Sequence, residues 1–467
     1  MTNPTYEDMQ VALDRQRKAF LTEGVVGAET RIDRIDRAIN ILEKHGSRFG
    51  DAMAADFGHR SRDLSKQTDI DGSIEPLKYA KKHLRNWMTP EKRKVMFPLG
   101  LLGARARLEF QPLGVVGCIS PWNFPVQLTF GPLAGIFAAG NRAMIKPSEF
   151  TVETSELMKN VFAEEFDEEE VAMFTGGPEV GSAFSRLPFD HLIFTGAMSV
   201  AKHVMKAAAE NLVPVTLELG GKSPVIIGRS ADLKLAANNI MAGKTMNAGQ
   251  ICLSPDYVYL PEESRDEFVE HARACIARMF PTIKDNPDYT SIVNAHHFER
   301  LQGYIEDASA KGAKLVELNP AAEDFSQQEH RRIPPTLALD PSEDMQLMQD
   351  EIFGPILPVK QYNDLSEALD HVNSKDRPLG LYYFGADKAE ETRVLTQTTS
   401  GGVTVNDVIM HVGQEDLPFG GVGPSGMGSY HGHDGFKNFS HSKSIFTTSK
   451  VISKLAATMR PPYKKAS

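Results

Sequence analysis

Cys252 ends the run Met246-Asn-Ala-Gly-Gln-Ile-Cys252, just past a glycine and ahead of an apolar stretch at 257–260. A cysteine so placed is either a small core residue or, as a thiolate, a nucleophile. Its neighbours in the sequence favour the second reading. Glu218 lies 34 residues earlier, at the end of an apolar run and just before Gly220 and Gly221. Backbone can pass close to a ligand at such glycines, and a carboxylate beside them can serve as a general base. Asn123 belongs to Pro121-Trp-Asn-Phe-Pro125, a turn fixed by two prolines, and its amide N–H groups suit an oxyanion. Lys146 and Glu149, three residues apart, close another apolar run with a cation and an anion. Nucleophile, base and oxyanion donor are the parts of covalent catalysis by a thiol.

These residues need a frame. Residues 1–90 read as polar and helix-rich. From 105 onward, short apolar runs at 115–119, 143–146, 171–175, 191–195 and 213–219 alternate with helix-length segments. That alternation is the pattern of βαβ units and a parallel sheet, which binds ligands at its strand C-termini. A helix over 199–211 places Val200, Val204, Met205 and Ala208 on one face. A second α/β set follows from 224, with a long helix over 233–250 leading to the cysteine. The expected fold class is α/β: a Rossmann-like domain at 1–103 and 112–218, and a second α/β domain at 219–400. A small β oligomerisation element is expected at 104–111 and 401–446, with a basic tail at 447–467.

Composition excludes several other classes. The net charge of −10 is spread along the chain, which argues against nucleic acid as a partner. No run reaches the roughly 18 apolar residues of a membrane span, and the N-terminus lacks the apolar centre of a signal peptide. Cys118, Cys252 and Cys275 show no paired spacing, as in a reducing, cytoplasmic setting. Gly421-Val-Gly-Pro-Ser-Gly426 matches a dinucleotide fingerprint in letters, but the glycines after it break any helix. His431, His433 and His441 cluster without a metal-binding motif, so no metal is expected.

The chain resembles the aldehyde dehydrogenase family over roughly residues 20 to 441. The resemblance rests on the motifs above together with Phe194-Thr-Gly196, Leu217-Glu-Leu-Gly-Gly-Lys-Ser-Pro224, Glu351-Ile-Phe-Gly-Pro355 and Leu417-Pro-Phe-Gly-Gly-Val-Gly423. The short N-terminal segment and Leu-Ser-Pro-Asp-Tyr257 after the cysteine are similar to its dimeric branch, which acts on fatty and aromatic aldehydes. Ala209-Glu-Asn-Leu-Val-Pro214, Leu379-Gly-Leu-Tyr-Tyr-Phe384 and Arg460-Pro-Pro-Tyr463 are most similar to its bacterial coniferyl-aldehyde members.

The resemblance implies NAD(P)-dependent oxidation of an aldehyde to the acid through a thioester on Cys252, and makes 1–103 and 112–218 the Rossmann-like NAD-binding domain and 219–400 the α/β catalytic domain. Asn123 would hold the oxyanion and Glu218 would activate the deacylating water. Lys146 and Glu149 would hold the adenosine ribose, and Glu351 the nicotinamide ribose. Phe353 would pack near the nicotinamide, with Trp122, Thr195 and Gly196 shaping the channel. Glu149 should favour NAD over NADP by repelling a 2′-phosphate, although Lys146 nearby could offset this. Phe124, Met246, Ile251 and Leu253 are apolar neighbours of the site and favour a hydrophobic aldehyde, aromatic first and medium-chain aliphatic second. Ala197 and Ala201 depart from the usual polar residue and glycine of the helix after Gly196. A cysteine hydrolase and a non-catalytic binding protein are the rival readings, and a homodimer is expected.

Overall fold

The structure is a computed structural model describing residues 3–457 and 460–461. Its N-terminal layer is helical: Tyr6–Glu23, Ala28–Phe57 and Gly72–Trp87. The second of these buries Ile35, Ala38, Ile39, Leu42, Phe49 and Met53, the three-and-four spacing of an amphipathic face. Between the second and third helices, Arg62–Ser65 and a π-type turn over Lys66–Asp71 lead the chain back.

Five parallel strands form the first sheet: Val115–Ile119, Arg142–Lys146, Val171–Met173, His191–Thr195 and Val215–Glu218. Numbered along the chain, they lie in the order 3-2-1-4-5, the Rossmann arrangement. All five match the apolar runs read from the sequence. They are buried on both faces by helices, which is why they read as continuous apolar stretches. The order reverses between Val115–Ile119 and His191–Thr195, so the two segments leaving those strands open the crevice that such sheets use for ligands.

The second sheet has seven strands. In order they are Lys314–Glu317, Thr336–Leu339, Ile356–Tyr362, Tyr257–Pro261, Pro224–Ile227, Gly380–Phe384 and Gly402–Val405, all parallel except the first. The expected boundary at 400 therefore moves, because Gly402–Val405 is the edge strand of this sheet. The rest of the late segment is shared out. Gly426–Met427 runs antiparallel against Val215–Glu218, and the helix Gly432–Asn438 packs beside Gln127–Ala139. Only Ser440–Thr447 joins the expected β element, pairing along the whole of Arg105–Pro112, with Glu91–Arg93 on the other side.

Three local expectations change. The helix Met198–Ala209 buries Ala201, Val204 and Ala208, whereas Val200 and Met205 are largely exposed. The buried stripe is thus turned by one residue from the face read in the sequence. The long helix stops at Thr245, and Asn247 and Ala248 then adopt left-handed backbone angles. The basic tail begins as a helix, Lys450–Ala457, and its residues 458–459 and 462–467 lie outside the described ones, as do Pro462 and Tyr463 of the closing motif.

Candidate active site

The nucleophile candidate is carried by a strained turn. Asn247 and Ala248 have φ of 49° and 52°, and Gly249 follows at 74°. Three left-handed residues in a row reverse the chain after the helix and deliver Cys252 to the crevice between the two sheets. Gly249 is required here: a Cβ would lie 2.3 Å from the Gly354 carbonyl oxygen. Cys252 keeps partial exposure while packing against a core that includes Ile251, Leu253 and Phe419. Its sulfur faces the backbone N–H groups of Cys252 and Leu253. Burial, then the carboxyls of Glu351 and Glu218, push the thiol up to about 12.

Glu218 ends the fifth Rossmann strand, with Gly426 directly opposite in register. It is buried, and neither carboxylate oxygen has a hydrogen-bond partner. Burial alone holds its carboxyl well above the ordinary 4.5. A buried carboxyl with unused oxygens is equipped to accept a proton.

Asn123 is also buried, in the turn after the first Rossmann strand. Its amide donates to the Gln250 carbonyl at 3.2 Å, two residues before Cys252. Asn247 donates to both the Asn123 and Gln250 carbonyls, at 3.2 and 3.3 Å. The left-handed turn thus ties the amide donor to the cysteine loop. This places Asn123 and Cys252 at one locus, with Glu218 within electrostatic reach of the sulfur.

The remaining residues line the crevice and its outer end. Lys146 is buried and donates to Glu149 at 2.6 Å. Glu149 borders a cavity of about 400 Å³, alongside Ser148, Ser155, Lys159 and Gly177. Thr195 and Gly196 leave the fourth Rossmann strand, and the Gly196 N–H donates to the Glu218 carbonyl at 3.0 Å. The helix after them starts at Ala197 with no side-chain cap, so its first-turn N–H groups stay available to an anion. Trp122 and Phe353 meet edge to face at 5.4 Å, and His297 lies 5.1 Å from the same indole. Glu351 packs onto Gly220, where a Cβ would come within 2.2 Å of it; its Oε1 is buried without a partner, and burial raises its carboxyl to about 8. Orphaned oxygens, an uncapped helix start and a paired lysine fit a dinucleotide.

Sequence reading missed several supports. Asn247 could have been noticed as an asparagine before Ala-Gly, a residue that tolerates left-handed angles. His297 and the buried Lys222–Asp256 pair at 2.6 Å carried no local signal. Of the apolar neighbours, Phe124, Ile251 and Leu253 belong to the core that includes Cys252, whereas Met246 ends the helix partly exposed. Gly421 to Gly426 form a tight turn at the sheet edge, not a phosphate loop. His431 is buried against Phe419, and among the described residues no group of three side chains could hold a metal.

The chain is similar to known proteins over nearly its whole length. The chain is 62% identical over 456 residues to a probable coniferyl aldehyde dehydrogenase of Caulobacter vibrioides, covering 97% of this chain and 94% of that one. It is 55% identical over 460 residues to the coniferyl aldehyde dehydrogenase of a Pseudomonas species, covering 98% and 95% respectively. Among solved structures, the substrate-bound state of Staphylococcus aureus AldH superposes with a TM-score of 0.89 at 34% identity, covering 97% of this chain and 99% of that one. Residues 1–445 match the aldehyde dehydrogenase family, and the chain belongs to that family.

Proposed function

We propose that this protein oxidises aromatic aldehydes of the coniferyl type to their carboxylic acids, using NAD in preference to NADP. The observation that carries the chemistry is a partly exposed Cys252 within electrostatic reach of a buried Glu218 whose two oxygens have no partner. The substrate class is supported by the similarity to coniferyl aldehyde dehydrogenases and by the apolar core, including Phe124, Ile251, Leu253 and Phe419, against which Cys252 packs.

Cys252 gives its proton to solvent and, as thiolate, attacks the carbonyl carbon, forming a thiohemiacetal anion. The developing oxyanion is held by the Asn123 amide and the Cys252 N–H. NAD, when bound, supplies the acceptor for the hydride that leaves the former aldehyde carbon. Lys146 and Glu149 would hold its adenosine side; Trp122, Thr195, Gly196, Glu351 and Phe353 would hold its nicotinamide side. What is left on Cys252 is a thioester. Glu218 takes a proton from water, the hydroxide adds to the thioester, and the acid leaves with Cys252 restored. The same reading puts the enzyme in the cytoplasm, where its three free thiols are kept reduced. It acts as a homodimer.

The test separates nucleophile from base. Cys252→Ala abolishes NADH formation, while Glu218→Gln keeps a first-turnover burst and loses steady-state turnover. A Gln variant turning over at the native rate removes Glu218 from the mechanism. Coniferyl or cinnamyl aldehyde exceeds acetaldehyde and succinic semialdehyde at least about tenfold in kcat/KM, roughly 1.4 kcal/mol of transition-state binding. Parity with acetaldehyde, or a preference for a medium-chain aliphatic aldehyde, replaces the aromatic assignment.

A further inference from the structure

One buried ion pair in the N-terminal helical layer reaches the active-site turn directly. Arg60 and Asp69 are both fully buried and meet at 2.6 Å. The other half of the Arg60 fork donates to the Asn123 carbonyl at 2.9 Å. Its guanidinium lies between two rings, 5.0 Å from Phe57 and 5.0 Å from Phe124, the residue after Asn123. Asp69 uses its second oxygen to accept from the N–H groups of Val126 and Gln127, at 3.2 and 3.3 Å. Thr68 holds the first oxygen from the other side at 3.1 Å.

The backbone explains how Asp69 gets there. It lies within the π-type turn Lys66–Asp71, whose extra residue per turn swings side chains off the regular helical stripe. The pair thus grips the turn from 123 to 127 at four points: one carbonyl, one ring and two N–H groups. A buried ion pair contributes little to stability compared with well-packed apolar side chains, so its worth here is geometric. Two amide side chains lie in the gripped turn, Asn123 and Gln127, and Asn123 is the one bonded to the cysteine loop, through the Gln250 carbonyl.

We propose that Arg60 and Asp69 are positioning residues that fix the Asn123 amide at the oxyanion site. The inference rests on the role given to Asn123 above. Its test needs no cofactor. Acylation of Cys252 by p-nitrophenyl acetate builds an oxyanion on an ester carbonyl, and its burst of p-nitrophenol measures that step alone. Alkylation by iodoacetamide consumes the same sulfur without an oxyanion. Arg60→Lys, which keeps the charge but loses the fork, slows the acylation burst at least about fivefold and leaves alkylation within about twofold. Asp69→Asn does the same. In an Asn123→Ala background either substitution adds less than about twofold, because the group it positions is gone.

Multiplicative losses in that background, or a parallel fall in alkylation, overturn the proposal in favour of general support of the fold. If Asn123→Ala leaves the burst unchanged, the role of Asn123 fails and the inference with it. Should Asp69→Asn not fold, the Arg60→Lys cycle decides alone. Absence of NADH formation by the native enzyme would defeat the dehydrogenase reading while leaving this cycle interpretable.

Discussion

The proton on Cys252 is held by three effects of the same sign: burial, the carboxyl of Glu351 and that of Glu218. Below its raised value the thiolate fraction grows tenfold per pH unit, so alkylation of the ligand-free enzyme climbs about tenfold per unit from roughly pH 7 to 9. A plateau below about pH 8 would reveal a cation at the sulfur. Glu351 shows the same physics as stability. Its carboxyl is raised from 4.5 to about 8, so the folded state favours the protonated form. That contribution is complete below about pH 4.5 and is lost as the pH rises through about 8. Glu351→Gln cannot ionise, so its melting temperature gains on the native protein by several degrees between acid and alkaline buffer. Thermal melts at both ends check this; a constant gap would mean that Glu351 is ionised in the fold throughout.

The turn at 247–249 delivers Cys252, and a single methyl group would close it. Gly249→Ala places a Cβ against the Gly354 carbonyl and forces an alanine to a left-handed angle. The expected loss is more than about 2 kcal/mol in urea unfolding, with activity falling further than stability. A variant of native stability and native rate would show that the turn relaxes. This element also marks where sequence reading stops. Cys252, Glu218, Asn123 and all five Rossmann strands were legible, because each strand is a local apolar run and each motif is contiguous. The break after Thr245 was missed: Asn247 and Gly249 were its local signal, but the close fit of Gly249 against the Gly354 carbonyl is long-range and no local pattern shows it. The face of Met198–Ala209 was read one residue off, because Val200 and Met205 are as apolar as the residues that are buried. Arg60 and Asp69 gave no signal: they meet through a π-type turn that no periodicity announces.

At the scale of the molecule, Ser440–Thr447 is an edge strand, largely exposed, with Phe446 more than half uncovered. Long exposed edges invite pairing with another chain. Light scattering at micromolar concentration is expected to give twice the mass of one chain, and Phe446→Asp to shift the population toward monomer. A native monomer would contradict the dimer. The position of Gly426–Met427 has a different reach. The strand bearing Glu218 receives its outer partner from a segment about two hundred residues further on, and the same late stretch brings Tyr430, Phe436 and Phe439 into the first core. On the ribosome, the Rossmann sheet therefore emerges with one edge bare and one face of Gln127–Ala139 uncovered, and stays so while about the next two hundred residues are made. A nascent chain of this enzyme exposes that apolar surface for the interval, the kind of surface that chaperones cover, and closes its first core only once Tyr430, Phe436 and Phe439 have been made.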